Sequence, residues 1–268
     1  MFQSKYVMVG NIRTHYLEAG EGEPLILIHS GEYGGSAENS WEYNIEALSK
    51  HFHVYALDMV GFGHTDKLFN FDDPQAFRLN HIQEFMQVMC INEASFMGSS
   101  VGGGMLLAVA AQEQPILPIK KLIVISGGGP IDLEAFGILT KYDCTKEYME
   151  KVLDLIFYED KWKSGEYLEK RYESSLIPGA WEAASAARLK SPVAKEKERH
   201  IPDYGKIKVP VLICGGENDK LKYPDYAEKL QSSIPNSQAK MFEKCRHNAH
   251  IEHAEEFNEL ALEFLLNN

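Results

Sequence analysis

Three residues spread along the chain, Ser100, Asp219 and His247, are of the types that together attack a carbonyl carbon. Ser100 is the centre of Gly98-Ser99-Ser100-Val101-Gly102, with a short apolar run from Ala94 before it and helix formers through Leu107 after it. Gly-x-Ser-x-Gly between a buried strand and a helix is a nucleophile elbow, a sharp turn that lifts the serine above the C-terminal edge of a sheet. The glycines are needed because strand and helix approach too closely there for a Cβ. A plainer reading of the same five residues is a glycine-rich turn with a helix-capping serine. What decides between them is whether partners exist elsewhere.

A serine hydroxyl is inert until a histidine takes its proton, and the histidine needs a carboxylate to hold its tautomer and stabilise the imidazolium. Behind an elbow the chain order is serine, acid, histidine. Gly215-Gly216-Glu217-Asn218-Asp219 directly follows an apolar strand, so Asp219 is the natural acid and Glu217 its nearest rival. Asp58 also ends a strand but precedes the serine, and is read as fixing a turn. Asp132 lies too far past its strand to compete. Of His247, His250 and His253, His247 falls first after the last strand and is taken as the base; the other two are read as a solvated helix start. The His-x-x-His-x-x-His run lacks the pattern of common zinc sites, so no metal is expected. Cys245 has no elbow of its own and is not read as a nucleophile.

A developing oxyanion needs two backbone donors, one after the nucleophile and one from the loop after the third strand. These are Val101 and the neighbourhood of Gly31. His29, just before that loop, is placed either to orient it or as a buried structural histidine.

Those residues require a sheet whose strands end together. Lys5–Val9 and Arg13–Glu18 alternate around Gly10-Asn11, as in an edge hairpin. Pro24–His29, Phe52–Asp58, Leu122–Ile125 and Val209–Cys214 are short apolar runs of the kind covered on both faces. A further strand is expected near Ala239–Glu243. Helices are expected over Trp41–Lys50, Pro74–Met89, the stretch after the elbow, Asp225–Ser232 and Ala254–Leu266. This alternation predicts a mostly parallel central sheet flanked by helices. It breaks over residues 131–204, which are rich in helix formers and aromatics, including Phe136, Tyr142, Phe157, Trp162 and Trp181. The expected division is therefore an α/β core of residues 1–130 and 205–268 with an inserted helical lid of residues 131–204. Some lid aromatics should face the serine and form an apolar pocket for a hydrophobic small molecule.

The length of 268 residues suits one such core with an insertion. Acidic side chains outnumber basic ones by 39 to 27, for a net charge of -12, which argues against a nucleic-acid surface. No stretch approaches the roughly 18 apolar residues of a membrane span, and the N-terminus has no signal-like pattern. A cytoplasmic enzyme with no membrane partner is expected, and a homo-oligomer is left open. The four cysteines are scattered, which fits reduced thiols; Cys90 and Cys214 are read as small core residues.

His29-Ser30-Gly31, Asp58-Met59-Val60-Gly61-Phe62-Gly63, the Ser100 elbow, Gly216-Glu217-Asn218-Asp219 and Cys245-Arg246-His247 resemble the α/β-hydrolase superfamily across nearly the whole chain. Within it, the Asp58–Gly63 turn and the run from His247 to Phe257 look most like the meta-cleavage-product hydrolases. The resemblance implies the α/β-hydrolase fold and, for those enzymes, cofactor-free cleavage of a carbon–carbon bond in vinylogous 1,5-diketones. Relatives typically carry Asn where this chain has Ser99 and Trp where it has Asn248. They also carry a lid arginine in a Gly-Arg-Trp-Glu-like context where it reads Gly179-Ala180-Trp181-Glu182, with Arg188 nearby as a substitute. The resemblance thus makes Ser99, Trp181, Arg188 and Asn248 the candidate substrate-binding residues. Those departures turn the expectation toward a serine esterase or lactonase. Carbon–carbon cleavage is the alternative, and a receptor-like ligand-binding member of the fold is the reading from another class.

Overall fold

The computed structural model describes residues 2–186, 189 and 202–267. Eight strands form one sheet: β1 (Gln3–Val9), β2 (Ile12–Ala19), β3 (Pro24–Ile28), β4 (His53–Leu57), β5 (Ala94–Ser99), β6 (Ile119–Ile125), β7 (Val211–Gly216) and β8 (Ser237–Phe242), in the order β1-β2-β4-β3-β5-β6-β7-β8. β1 and β2 make the edge hairpin, closing at Val9↔Ile12, and β2 runs antiparallel to β4; every later pairing is parallel. Alternation along the buried strands builds two cores. Ile26 and Ile28 of β3 and Ile213 of β7 enter one apolar layer, while Leu25, Leu27 and Leu212 enter the other.

The helices are α1 (Ala37–Trp41), α2 (Ile45–Leu48), α3 (Pro74–Val88), α4 (Val101–Ala110), α5 (Leu133–Leu139), α6 (Lys146–Ile156), α7 (Gly165–Ser175), α8 (Ala180–Ser185), α9 (Tyr226–Ser233), α10 (Ala249–Glu252) and α11 (Ala254–Leu266). α3, α4 and α9 cover one face through Phe85, Leu107 and Leu230. α1, α2 and α11 cover the other through Trp41, Leu48 and Phe257. Helices α5 to α8 lie between β6 and β7, and with Tyr33, Leu221 and Ile251 form a third apolar cluster. No strand occurs among the described residues of that excursion.

Two expectations are corrected by packing. The single helix over Trp41–Lys50 is broken into α1 and α2 because Asn44 turns inward; its side-chain amide donates to the His250 carbonyl at 2.9 Å and to Asn258 Oδ1 at 2.8 Å. Cys90 is exposed rather than in the core, since α3 stops at Val88 and Cys90 takes a left-handed φ of 57° in the turn beyond. Cys214 and Cys245 are buried. Among the described residues no helix is long and apolar enough to cross a membrane.

Candidate active site

The elbow is built by close approach. Ser100 sits at φ 51°, left-handed and unfavourable for a residue with a side chain, at a cost of about 1–3 kcal/mol. Its amide is anchored to the Ile125 carbonyl at 2.7 Å. A Cβ on Gly98 would lie 2.6 Å from the Gly103 nitrogen, and one on Gly102 would lie 2.7 Å from the Ile28 and His29 carbonyl oxygens. The strain is thus imposed by β3, β5 and β6 together, and it sets Ser100 at the N-terminus of α4.

Asp219 and His247 arrive on two loops laced to each other. The Asn218 amide donates to the Cys245 carbonyl at 2.9 Å and the Glu217 amide to the Phe242 carbonyl at 3.0 Å. Gly216 is required at this contact, because a Cβ would overlap the Arg246 and Cys245 carbonyl oxygens. His247 is 3 % exposed; its Nε2 lies 2.8 Å from Ser100 Oγ and its Nδ1 2.7 Å from Asp219 Oδ2. Asp219 Oδ1 accepts from the Leu221 amide at 2.8 Å. Burial alone would raise the Asp219 carboxyl, but the charge and hydrogen bond of His247, with the Leu221 amide, hold it below the usual carboxylate range. An ionised Asp219 directs the Nδ1 proton toward itself and leaves Nε2 free to accept from Ser100.

The helical excursion also touches this machinery. The His247 amide donates to the Ile156 carbonyl at the end of α6 (3.1 Å), Arg246 Nη1 pairs with Asp154 Oδ1 (3.0 Å), and the Tyr158 amide donates to Glu252 Oε2 (2.6 Å). Glu32, in the loop after β3, meets Arg171 of α7 through Oε1 and Nη2 at 2.6 Å, with Arg171 1 % exposed.

Ser100 and His247 open on a cavity of about 300 Å³, the size that admits a small organic molecule. Gly31 and Val101 flank Ser100 in its wall, and neither amide donates a hydrogen bond among the described residues. They are free for an oxyanion, and the N-terminus of α4 favours negative charge at the same place. Most of the wall is apolar, including Tyr33, Phe62, Phe136, Leu139, Ile156 and Leu221. Asn248 is also in the wall.

Other candidates fall elsewhere. Ser99 is fully buried behind the elbow with its hydroxyl unpartnered and does not line the cavity. Trp181 does not line it either; its indole N–H donates to the Tyr142 carbonyl at 3.0 Å inside the helical cluster. Arg188 lies outside the described residues. Of the aromatics between β6 and β7, Phe136 reaches the cavity, while Tyr142 packs on Tyr33 and Tyr148 and Phe157 stacks on Trp162 behind it; Tyr33 and Phe62 supply the rest from core loops. Asp58 fixes its turn, accepting from the Ala37 amide at 2.6 Å and the His64 amide at 2.7 Å. His29 Nε2 accepts from the Met59 amide at 3.0 Å, so Nδ1 carries the proton and donates to the Ser30 carbonyl. His250 is not solvated: it is fully buried, 4.8 Å from the Trp41 ring, and burial pushes its pKa down to about 3. The described His, Cys, Asp and Glu side chains form no group that could hold a metal ion.

One residue missed by sequence reasoning is in the wall. Arg78, in the second turn of α3, lines the cavity with its guanidinium 5.1 Å from the Phe62 ring centroid. In sequence it is one polar position on an amphipathic helix, and no local pattern marks it.

Residues 25–260 match the model of the Alpha/beta hydrolase family. The chain is 29 % identical to a 2-hydroxy-6-oxo-6-(2'-aminophenyl)hexa-2,4-dienoic acid hydrolase of Metapseudomonas resinovorans, over 98 % of this chain and 91 % of that one. A variant of the meta-cleavage product hydrolase CumD is 30 % identical with a TM-score of 0.86, covering 97 % of both chains; CumD comes from Pseudomonas fluorescens IP01. The carboxylesterase CesB (YbfK) of Bacillus subtilis, at 20 % identity, TM-score 0.81 and coverage of 99 % and 92 %, shares the fold alone. With an eight-stranded sheet, a strained serine elbow and this near full-length match, the chain belongs to the alpha/beta hydrolase family, as an enzyme whose relatives include meta-cleavage product hydrolases.

Proposed function

We propose that this protein is a serine hydrolase that cleaves a carbon–carbon bond in ring-fission dienoates, vinylogous 1,5-diketones. In this reading Ser100 attacks the ketone carbonyl, His247 takes and returns the proton, and Asp219 orients His247 and balances its charge. The Gly31 and Val101 amides receive the oxyanion. The dienol first takes a proton on the carbon beside the ketone; collapse of the tetrahedral adduct then expels that carbon with its electron pair delocalised as a conjugated enolate, which is protonated on oxygen, and leaves an acyl group on Ser100 for water to remove. Helices α5 to α8, which bring Phe136, Leu139, Ile156 and Ala184 to the wall, act as the lid that keeps the cavity dry. No cofactor has a step in this scheme.

The observation that carries this reading is the Ser100–His247–Asp219 alignment at a largely apolar cavity, in a chain matched over 97–98 % of its length by curated hydrolases of dienoates and muconate semialdehyde. The departures at Ser99, Ala180 and Asn248 favour an ester or lactone instead. They weigh little against the dienoate, since neither Ser99 nor Ala180 is in the cavity wall and Asn248 keeps a polar group there. The test is a side-by-side panel of 2-hydroxy-6-oxo-6-phenylhexa-2,4-dienoate, a p-nitrophenyl ester and a lactone. The dienoate should give the highest kcat/KM, read from loss of its long-wavelength absorbance. Ester or lactone turnover with no dienoate cleavage overturns the reading.

A further inference from the structure

The cavity wall carries two side chains of opposite charge in opposite circumstances. Glu32 is matched: Arg171 neutralises it at 2.6 Å, and despite burial its carboxyl is held below the usual range. Arg78 is not matched. Among the described residues it has no hydrogen bond and no ion pair, and its guanidinium lies against the face of Phe62. Burial lowers its pKa, yet an arginine stays charged at neutral pH. Arg78 is half-buried, so its guanidinium is partly withdrawn from water without an anion, and its planar fork of donors fits a carboxylate bidentately. Among the described residues, the Ser100 cavity therefore offers one uncompensated positive charge.

We propose that Arg78 is the carboxylate anchor of this cavity, selecting substrates with a carboxylate at one end and holding it beside Phe62 while the reacting carbonyl sits at Ser100. This deepens, and rests on, the dienoate reading. The resemblance implies a lid arginine at the position of Ala180; here α3 of the core supplies the cation. The assignment predicts discrimination by charge rather than by length, with a neutral ester of the same dienoate losing the anchor. A single charge-assisted pair corresponds to roughly 10- to 150-fold in affinity.

The test is equilibrium binding to full-length Ser100→Ala protein, which needs no turnover. The probes are 2-hydroxy-6-oxo-6-phenylhexa-2,4-dienoate and its methyl ester, titrated calorimetrically. The acid should bind roughly 10- to 150-fold more tightly than the ester. Adding Arg78→Gln should erase that preference by weakening the acid, with the ester's affinity retained as the control for folding. Arg78→Lys keeps the charge without the fork and should show an intermediate preference. Arg188→Gln should keep the full preference. An absent preference in Ser100→Ala, a preference that survives Arg78→Gln, or one lost in Arg188→Gln instead overturns the assignment. An Arg78-dependent preference in a protein that cleaves only esters would sink the carbon–carbon reading and leave the anchor standing. Dienoate cleavage with an Arg78-independent preference would do the reverse.

Discussion

Glu32 and Arg171 join the loop after β3 to helix α7 through one ion pair of 2.6 Å, buried on both sides. Glu32 is the next residue after Gly31, so the pair bears directly on the loop assigned to receive the oxyanion. Removing one partner leaves the other charged and desolvated, which costs about 3–5 kcal/mol. Glu32→Gln and Arg171→Met should each lower stability by about that amount in urea unfolding. The double variant should lose much less than the sum of the two single losses. Additive losses would show that the pair is not the source.

The triad residues should behave as one unit. Ser100→Ala and His247→Ala are each expected to lower kcat on the order of 10³-fold or more, and the double variant should lose little beyond either. A fluorophosphonate should label wild-type protein at Ser100, read by peptide mass spectrometry. An unlabelled Ser100, with activity intact in Ser100→Ala, would remove it from the mechanism.

Much of this site was legible because each part is tied to a strand end by a steric demand. Gly98 and Gly102 stand where no Cβ fits, and Asp219 follows a glycine pressed against the histidine loop. Short apolar runs placed β3 to β7 for the same reason. What stayed illegible depends on long-range partners. Asn44 breaks a helix by reaching His250 and Asn258, more than 200 positions away. His250 reads as polar in sequence and is buried against Trp41. Arg78 owes its significance to a cavity assembled from loops and helices far apart in the chain, from Gly31 to Asn248.

Two glycines test the steric reading in opposite directions. Gly102→Ala should destabilise by about 1–3 kcal/mol, as overpacking does, because its Cβ meets backbone oxygens that cannot retreat. Gly137 sits within α5 with nothing inside 4 Å of where a Cβ would go. Gly137→Ala should stabilise by about 0.5–1 kcal/mol through helix propensity. Thermal unfolding of both variants checks this, and a reversal of sign in either would refute it.

Burial depresses the pKa of His250 to about 3 and of His81 to about 4, and lowers that of His29. Unfolding restores ordinary values, so below pH ~6.5 the unfolded chain binds more protons than the folded one. Stability from these groups is complete above pH ~6.5 and is lost as pH falls toward their folded values. The depressed carboxyls of Asp58 and Asp219 add the same sign only below about pH 4. Between pH 6 and 4.5 His250 and His81 should each contribute a slope on the order of 1 kcal/mol per pH unit. His250→Phe should remove about one proton's worth of that slope in denaturant titrations at several pH values.

The three ties between the end of α6 and the His247 loop set how the cavity can be filled. The Ile156 carbonyl holds the His247 amide, Asp154 holds Arg246, and Glu252 holds Tyr158. A roof hinged on the element that steadies the proton carrier cannot swing clear as a rigid flap without carrying the imidazole with it. A substrate that reaches Ser100 with this roof in place passes through the cavity wall. Phe136 of α5, in the lining yet 43 % exposed, is the doorpost such a substrate would brush.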